Sequence, residues 1–168
     1  MIIHSLISQG RRQLVHIASF IALVASTQVM ANDTTFGDWK MACQPNCVLT
    51  QGLADTANPN IKFAVQMAKV VETKALIVQL NFPLGIYLQQ PIGITIDDYH
   101  TKVPMTVCLP SGCNAVFELP KAMRQALMKG SMLHVTFYAS ETKPNKISFL
   151  LNGIVAGITA LEAAPANK

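Results

Sequence analysis

Four cysteines constrain this chain more than any other residues: Cys43, Cys47, Cys108 and Cys113. Their number is even, and all four follow an N-terminal segment with the pattern of an export signal. Exported proteins fold in an oxidising compartment, where cysteines pair as disulfides. The sequence therefore predicts two disulfides, for which three pairings are possible.

The N-terminal segment, residues 1–31, has the order of a secretory signal peptide. Arg11 and Arg12 precede an apolar stretch at residues 14–24, and Ala31 supplies a small residue for cleavage. The apolar stretch is shorter than the roughly 20 residues that a membrane-spanning helix needs. We expect cleavage after Ala31, with a retained N-terminal anchor as the alternative. A mass measurement on the exported protein separates the two.

Charge argues against two classes of partner. The full sequence has a formal charge of +4, and two of its positive charges, Arg11 and Arg12, belong to the expected signal peptide. Lysine and arginine are spread along the mature chain without a basic cluster. We therefore expect no nucleic-acid partner, weak attraction to membrane surfaces and no membrane span after cleavage.

Pairing between neighbours is the expected arrangement of the cysteines. In an extended strand the Cα atoms of Cys43 and Cys47 would lie about 13 Å apart, whereas a disulfide needs them within about 7 Å. The chain must therefore turn between them, and residues 45–46 are turn-forming types, as are residues 110–112 in the second pair. Each short loop would stabilise the fold by only about 2 kcal/mol. The expected disulfides are Cys43–Cys47 and Cys108–Cys113.

Two other uses of the cysteines remain open. A thiol redox site typically has Cys-x-x-Cys at a helix N-terminus, whereas three and four residues separate these cysteines and their flanks have strand patterns. A zinc site usually has tighter ligand spacing, and oxidation would compete with it after export. Thiol counting and an insulin-reduction assay would distinguish structural disulfides from these alternatives.

The mature chain predicts one mainly β domain over residues 32–161. Residues 63–68, 76–80 and 133–138 alternate at the period of a strand. Further candidate strands are residues 39–43, 48–51, 85–88, 92–96, 105–108, 114–118 and 147–151. Such short strands, separated by turn-forming residues, favour an antiparallel β-sandwich or barrel-like domain over alternating βαβ units.

Two short helices are expected beside the strands. The first begins with Pro120 at its first helical position and ends near Lys129, with Gly130 as its cap. The second spans residues 154–161, where apolar residues recur at helical spacing. We expect residues 162–168 to form a disordered tail.

Catalytic patterns are weak in this sequence. There is no G-x-S-x-G, no H-E-x-x-H and no phosphate-binding glycine loop. Ser140 and Lys143 match S-x-x-K, but they fall in an expected hairpin turn. Asp97, Asp98 and His100 could ligate a metal at a strand end, although acids in such a position usually form a solvated turn. We expect no catalytic residue, no metal site and no cofactor.

The order of several short motifs resembles the invasion-associated locus B family of bacterial exported proteins. These motifs are Trp39 with Cys43, residues 47–49, 82–88 and 94–97, Cys108 with residues 112–113, and residues 151–153 and 160–161. The resemblance covers about residues 36–161 and implies a β-rich envelope or secreted protein associated with entry into host cells. It implies no catalytic residues. Residues 89–91 depart from the pattern, so that loop is expected to differ.

The leading functional hypothesis is a non-enzymatic exported protein whose disulfide-pinned loops present a contact surface to a host-cell or envelope protein. It would act in the periplasm, at the outer membrane or outside the cell. One alternative is a small periplasmic enzyme or thiol oxidoreductase that uses a cysteine pair. Another is small-ligand binding within the sandwich.

Overall fold

The computed structural model describes residues 33–165, which form eleven strands and two helices. The strands are β1 (Thr34–Phe36), β2 (Trp39–Cys43), β3 (Cys47–Ala54), β4 (Lys62–Lys69), β5 (Leu76–Phe82), β6 (Ile92–Ile96), β7 (Tyr99–Val103), β8 (Val107–Leu109), β9 (Gly112–Glu118), β10 (Met132–Ser140) and β11 (Lys143–Leu150). The helices are α1 (Lys121–Lys129) and α2 (Ile154–Ala163). The expected signal peptide lies outside the described residues. Within residues 33–165, neither helix is long and apolar enough to cross a membrane.

The strands form two antiparallel sheets. A seven-stranded sheet has the order β1-β2-β3-β4-β5-β9-β8, and a four-stranded sheet has the order β11-β10-β6-β7. Both bury alternate residues: in β5, Val78 and Leu80 are buried while Gln79 is half-buried on the opposite face. This alternation is the signal that predicted the strands. The predicted class, an antiparallel β-sandwich or barrel-like domain with two short helices, is confirmed.

The core includes residues from both sheets. Phe137 of β10 contacts Phe63 of β4 and Phe82 of β5, with ring centroids 5.3 and 5.6 Å apart. Trp39 of β2 is completely buried, and its Nε1 donates a hydrogen bond to the carbonyl oxygen of Leu150, 3.0 Å away in β11. Ring packing and this hydrogen bond therefore hold the two sheets together.

Helix α1 has the limits that the sequence predicts, except that Pro120 precedes the helix as its N-cap. Helix α2 continues to Ala163, so the expectation of a disordered tail from residue 162 is wrong for its first residues. A contact with α1 holds this end of α2 in place. The guanidinium of Arg124 donates hydrogen bonds of 3.0 and 2.9 Å to the two carboxylate oxygens of Glu162. The end of the expected tail, residues 166–168, lies outside the described residues.

Residues 85–88 are not a strand, contrary to expectation. Gly85 has φ of +95°, and Leu84 and Leu88 are exposed, so this segment has no buried face. Tyr87 N donates one hydrogen bond, of 2.8 Å, to Tyr138 O. The segment is a loop that crosses the end of β10.

Other boundaries also differ from the expectation. β1 and β7 were not predicted, since neither contains a fully buried residue that would mark a strand face. The expected turn after β10 is shorter, because Ser140 lies directly opposite Lys143. Pro144 is compatible with β11 because that strand lies at the edge of its sheet.

Candidate functional site

The first disulfide closes the hairpin between β2 and β3. Cys43 lies directly opposite Cys47 in the strand register, with Cα atoms 3.9 Å apart and the two sulfur atoms bonded. Between them, the Gln44–Pro45 peptide bond is cis, and Gln44 N donates a hydrogen bond of 3.2 Å to Asn46 O. The three-residue connection is therefore closed by a cross-strand disulfide.

The second disulfide closes the hairpin between β8 and β9. Cys108 lies opposite Cys113, again with Cα atoms 3.9 Å apart, and Leu109 faces Gly112. Gly112 has φ of +138°, and a Cβ atom there would lie 2.4 Å from Phe82 O. Only glycine fits this position without a backbone shift. Both disulfides thus join cysteines that are neighbours in the sequence, as the turn residues predict, and residues 33–165 contain no free cysteine.

The two disulfides lie at opposite ends of the seven-stranded sheet. Cys47 adjoins Val48, which pairs with Ala68 near the end of β4, whereas Cys113 pairs with Phe82 at the end of β5. Neither disulfide adjoins a helix N-terminus, the setting that favours a reactive thiolate in redox sites. Each disulfide pins a hairpin, and the hairpins are at diagonally opposite corners of the sheet.

A groove of about 620 Å³ lies beside the β8–β9 hairpin. Its lining residues come from the ends of β4, β5 and β9 and from the loops next to them. They are Asn60, Lys62, Phe63, Ala64, Gln79, Asn81, Phe82, Pro83, Leu84, Pro110, Ser111, Gly112 and Asn114. We call this site the hairpin groove. One of its walls is the disulfide-closed turn.

Side-chain amides form the polar part of the hairpin groove and of the sheet surface beside it. Gln79 Nε2 donates a hydrogen bond of 2.7 Å to Asn81 Oδ1, and Asn81 Nδ2 donates one of 3.1 Å to Gln66 Oε1. Asn114 lies directly opposite Asn81 on β9. The chain of hydrogen bonds orients the amides of Gln79 and Asn81 before any ligand arrives.

The chemistry of the hairpin groove suits binding. Amide groups both donate and accept hydrogen bonds, as do the peptide groups of a bound chain. Lys62 adds one positive charge, and Leu84, which is 57% exposed, adds an apolar contact. Among the lining residues of this groove, all within the described chain, there is no imidazole or carboxylate to act as a general base.

The other sequence candidates are not brought together. Asp97 and Asp98 form the turn between β6 and β7, where Asp97 adopts φ of +48°. His100 lies on β7, with its Nδ1 3.1 Å from Thr95 Oγ1. Across residues 33–165, no three histidine, cysteine, aspartate or glutamate side chains are grouped as metal ligands would be. Ser140 and Lys143 flank the tight turn between β10 and β11.

The amides of the hairpin groove were not singled out from the sequence. Gln66 and Gln79 are polar members of two alternating segments, so a position on the outer sheet face could be inferred for each. Their proximity depends on the register of β4 against β5, and the contribution of Asn114 depends on β9 joining β5 after a connection of about thirty residues. Alternation within a strand gives no information about either pairing.

Residues 32–162 match the family model described as Invasion associated locus B (IalB) protein. A similar solved structure is the crystal structure of invasion associated protein B from Bartonella henselae, with 22% identity and a TM-score of 0.67. The similarity covers 78% of this chain and 96% of that one, and at this identity it shows a shared fold. No curated protein matches. Because the family model spans most of the sequence, this chain belongs to the invasion associated locus B (IalB) protein family.

Proposed function

We propose that this protein is exported after cleavage of residues 1–31 and contributes, without enzymatic activity, to the entry of bacteria into host cells. Membership of the invasion associated locus B family supports the role in invasion. The signal-peptide pattern and the two disulfides support export, because disulfides persist in oxidising compartments. The protein would act at the cell envelope or outside the cell.

The observation that carries the proposal is the hairpin groove, in which oriented amides lie beside a disulfide-closed turn. Preorganised groups lose little conformational freedom on binding, so more of the interaction energy contributes to affinity. The segment that leads into β8 is also fixed, because Thr106 N donates to Asn114 O and Val116 N donates to Thr106 Oγ1, each at 2.8 Å. A loop held in this way is suited to contact a partner.

The expected partner is a host-cell or envelope protein. The hairpin groove is mostly neutral and polar, with Asn60, Gln79, Asn81 and Asn114 as its amides. Within residues 33–165 the side-chain amide of Asn114 has no hydrogen-bond partner, so it is free to bind a peptide group. A polypeptide would match this surface if its exposed backbone could bind the amides and a small apolar side chain could pack against Leu84.

Replacement of both Asn81 and Asn114 by alanine is expected to reduce host-cell invasion to the level of cells that lack the protein. The substitution removes two amides from the hairpin groove while both positions remain on the sheet surface. A strain deleted for the gene would be complemented with the wild type, with this double variant, or with Asn145→Ala, and internalised bacteria would be counted. Asn145 is an exposed amide on β11 and is not one of the residues that line the groove, so it is the control.

The outcomes test the role in invasion and the role of the hairpin groove separately. If deletion leaves invasion unchanged, the proposed role in invasion is wrong. If deletion impairs invasion but the Asn81/Asn114 variant restores it as fully as Asn145→Ala does, the hairpin groove is not the contact surface. Equal amounts of folded protein in the exported fraction must be shown for all variants.

A further inference from the structure

The outer face of the four-stranded sheet, which points away from the core, carries four basic side chains: His100, Lys102, His134 and Lys146. We call this surface the basic face. His100 and Lys102 lie on β7, His134 on β10 and Lys146 on β11, so the four are dispersed over more than forty residues of sequence. The sequence shows no basic cluster, but the sheet assembles one.

Strand register places these side chains in two adjacent rows. Directly opposite residues of antiparallel strands point to the same face, and the alternate residues Ile94 and Val135 are buried on the other face. In the sheet order β11, β10, β6, β7, the rows are Ser148–His134–Thr95–His100 and Lys146–Thr136–Gly93–Lys102. The two lysines therefore lie on either side of a shallow strip that is formed by a threonine and a glycine.

The positive charge of the basic face is not neutralised by the protein. Lys102 and Lys146 are exposed, and neither forms an ion pair with a carboxylate of residues 33–165. The two rows contain no acidic residue. The nearest acids in the sequence, Asp98 and Glu141, lie in the turns beyond the ends of the strands, while the carboxylate of Asp97 lies beside Gly130 at the end of α1.

Two hollows meet at the centre of the basic face because Gly93 has no side chain. Both are lined by Gly93 and Lys102, with volumes of about 330 and 210 Å³. The larger one includes Thr95 and His100, and the smaller one includes Gln90, Pro91, Thr136 and Tyr138. The surface therefore combines cations, hydroxyls, an amide and an aromatic ring.

The imidazoles are oriented by hydrogen bonds along their row. His134 Nδ1 lies 2.7 Å from Ser148 Oγ, and His100 Nδ1 lies 3.1 Å from Thr95 Oγ1. Each ring uses Nδ1 within the sheet, which leaves Nε2 available to a ligand. The histidines thus extend the surface for hydrogen bonding beyond the reach of the two lysines.

We infer that the basic face binds a sulfated polysaccharide. The strands that carry Lys146 and Lys102 are three strand spacings apart, about 14 Å, which suits several anionic groups on one extended chain better than a single small anion. Sulfate groups would pair with the lysines, while sugar hydroxyls would bind Thr136 and Gln90 and a sugar ring would pack on Tyr138. The two rows have no large apolar side chain to insert into a lipid bilayer.

The test is binding of the mature, disulfide-bonded protein to immobilised heparin, measured as Kd by surface plasmon resonance at two ionic strengths. Wild type should bind heparin and not unsulfated heparosan, and added salt should weaken the binding. Lys102→Ala with Lys146→Ala should weaken it roughly tenfold or more, because two charge-assisted contacts are lost. The matched control, Lys121→Ala with Lys129→Ala, removes the same charge from exposed positions on α1, outside this sheet and without ion pairs among residues 33–165, and should leave the Kd unchanged.

Several results would overturn the inference. Equal weakening of heparin binding by the two double variants would indicate attraction to net charge alone. Unchanged heparin binding by the Lys102/Lys146 variant would show that the basic face is not the binding surface. Equal or tighter binding to phosphatidylglycerol vesicles or to duplex DNA would contradict the assignment to a polysaccharide. Thermal unfolding of each variant shows that it is folded. The Asn81/Asn114 variant should retain heparin binding, so failure of this inference is distinguishable from failure of the proposed function.

Discussion

Replacement of Gly153 by alanine is expected to lower the free energy of unfolding by at least about 3 kcal/mol, enough to leave much of the protein unfolded. Gly153 precedes α2 with φ of +87°. A Cβ atom there would lie 2.0 Å from Phe36 O, 2.3 Å from Phe36 C and 2.8 Å from Gly37 N. The left-handed conformation alone costs a residue with a side chain about 1–2 kcal/mol, and backbone overlap adds to that cost.

The overlap at Gly153 cannot be relieved by rotation of a side chain, because all three neighbouring atoms are backbone. The two segments are also tied together, since Asp38 N donates a hydrogen bond of 3.1 Å to Asn152 O. A shift that admits a methyl group must therefore separate the β1–β2 turn from the start of α2. Loss of this contact would expose Leu49, against which Gly157 of α2 packs.

Gly85→Ala is the matched control for this prediction. Gly85 also has a positive φ, +95°, but a Cβ atom there would have no neighbour within 4 Å. Only the cost of the left-handed backbone conformation applies, so the free energy of unfolding is expected to fall by about 1–2 kcal/mol. Urea unfolding followed by far-UV circular dichroism gives both values. Similar losses at the two positions would show that the contact between α2 and the β1–β2 turn has little effect on stability.

Trp39→Ala is expected to cost about 3–5 kcal/mol. Trp39 is completely buried, and truncation would leave a cavity in the core as well as removing the hydrogen bond to Leu150 O. The same carbonyl oxygen accepts a hydrogen bond of 2.9 Å from Gln51 Nε2, which also donates to Asp38 O at 3.1 Å. Trp39 and Gln51 together anchor the end of β11 to the seven-stranded sheet.

A second substitution separates packing from hydrogen bonding at this position. Trp39→Phe retains an aromatic ring, and Leu150 O still accepts from Gln51, so the expected loss is smaller, about 1–3 kcal/mol. Leu88→Ala, at an exposed loop position, should change stability by less than about 0.5 kcal/mol. These values are measured by urea unfolding followed by far-UV circular dichroism, since both Trp39 variants lack tryptophan fluorescence. A loss below 1 kcal/mol for Trp39→Ala would contradict a core that depends on this residue.

The elements that could be predicted from the sequence are those that bury one face and expose the other. In β6 and β10, buried apolar residues alternate with polar residues or glycine, and α1 has Pro120 before it and Gly130 after it. β7 was missed because its inner residues, including Thr101, are only half-buried. The true end of α2 depends on the ion pair between Arg124 and Glu162, a contact between helices that local sequence does not specify.

The cysteine pairing could be predicted because it depends on short-range geometry. Cys43 and Cys47 are separated by residues that turn, and opposite positions of a tight hairpin come within disulfide distance. The hairpin groove and the basic face depend instead on which strands become neighbours. Asn81 meets Asn114 through the pairing of β5 with β9, and His134 meets Thr95 through that of β10 with β6. Such pairings follow from the packing of the complete domain.

Export to an oxidising compartment, where disulfides close the hairpins of this β-scaffold, is the step on which the proposed function depends. The most direct test is a thiol count with intact-mass analysis on protein recovered, after alkylation during lysis, from the compartment where it resides. We expect a chain that begins at residue 32, with no alkylated cysteine before reduction and four afterwards. Recovery of the chain with all four cysteines alkylated before reduction would contradict it.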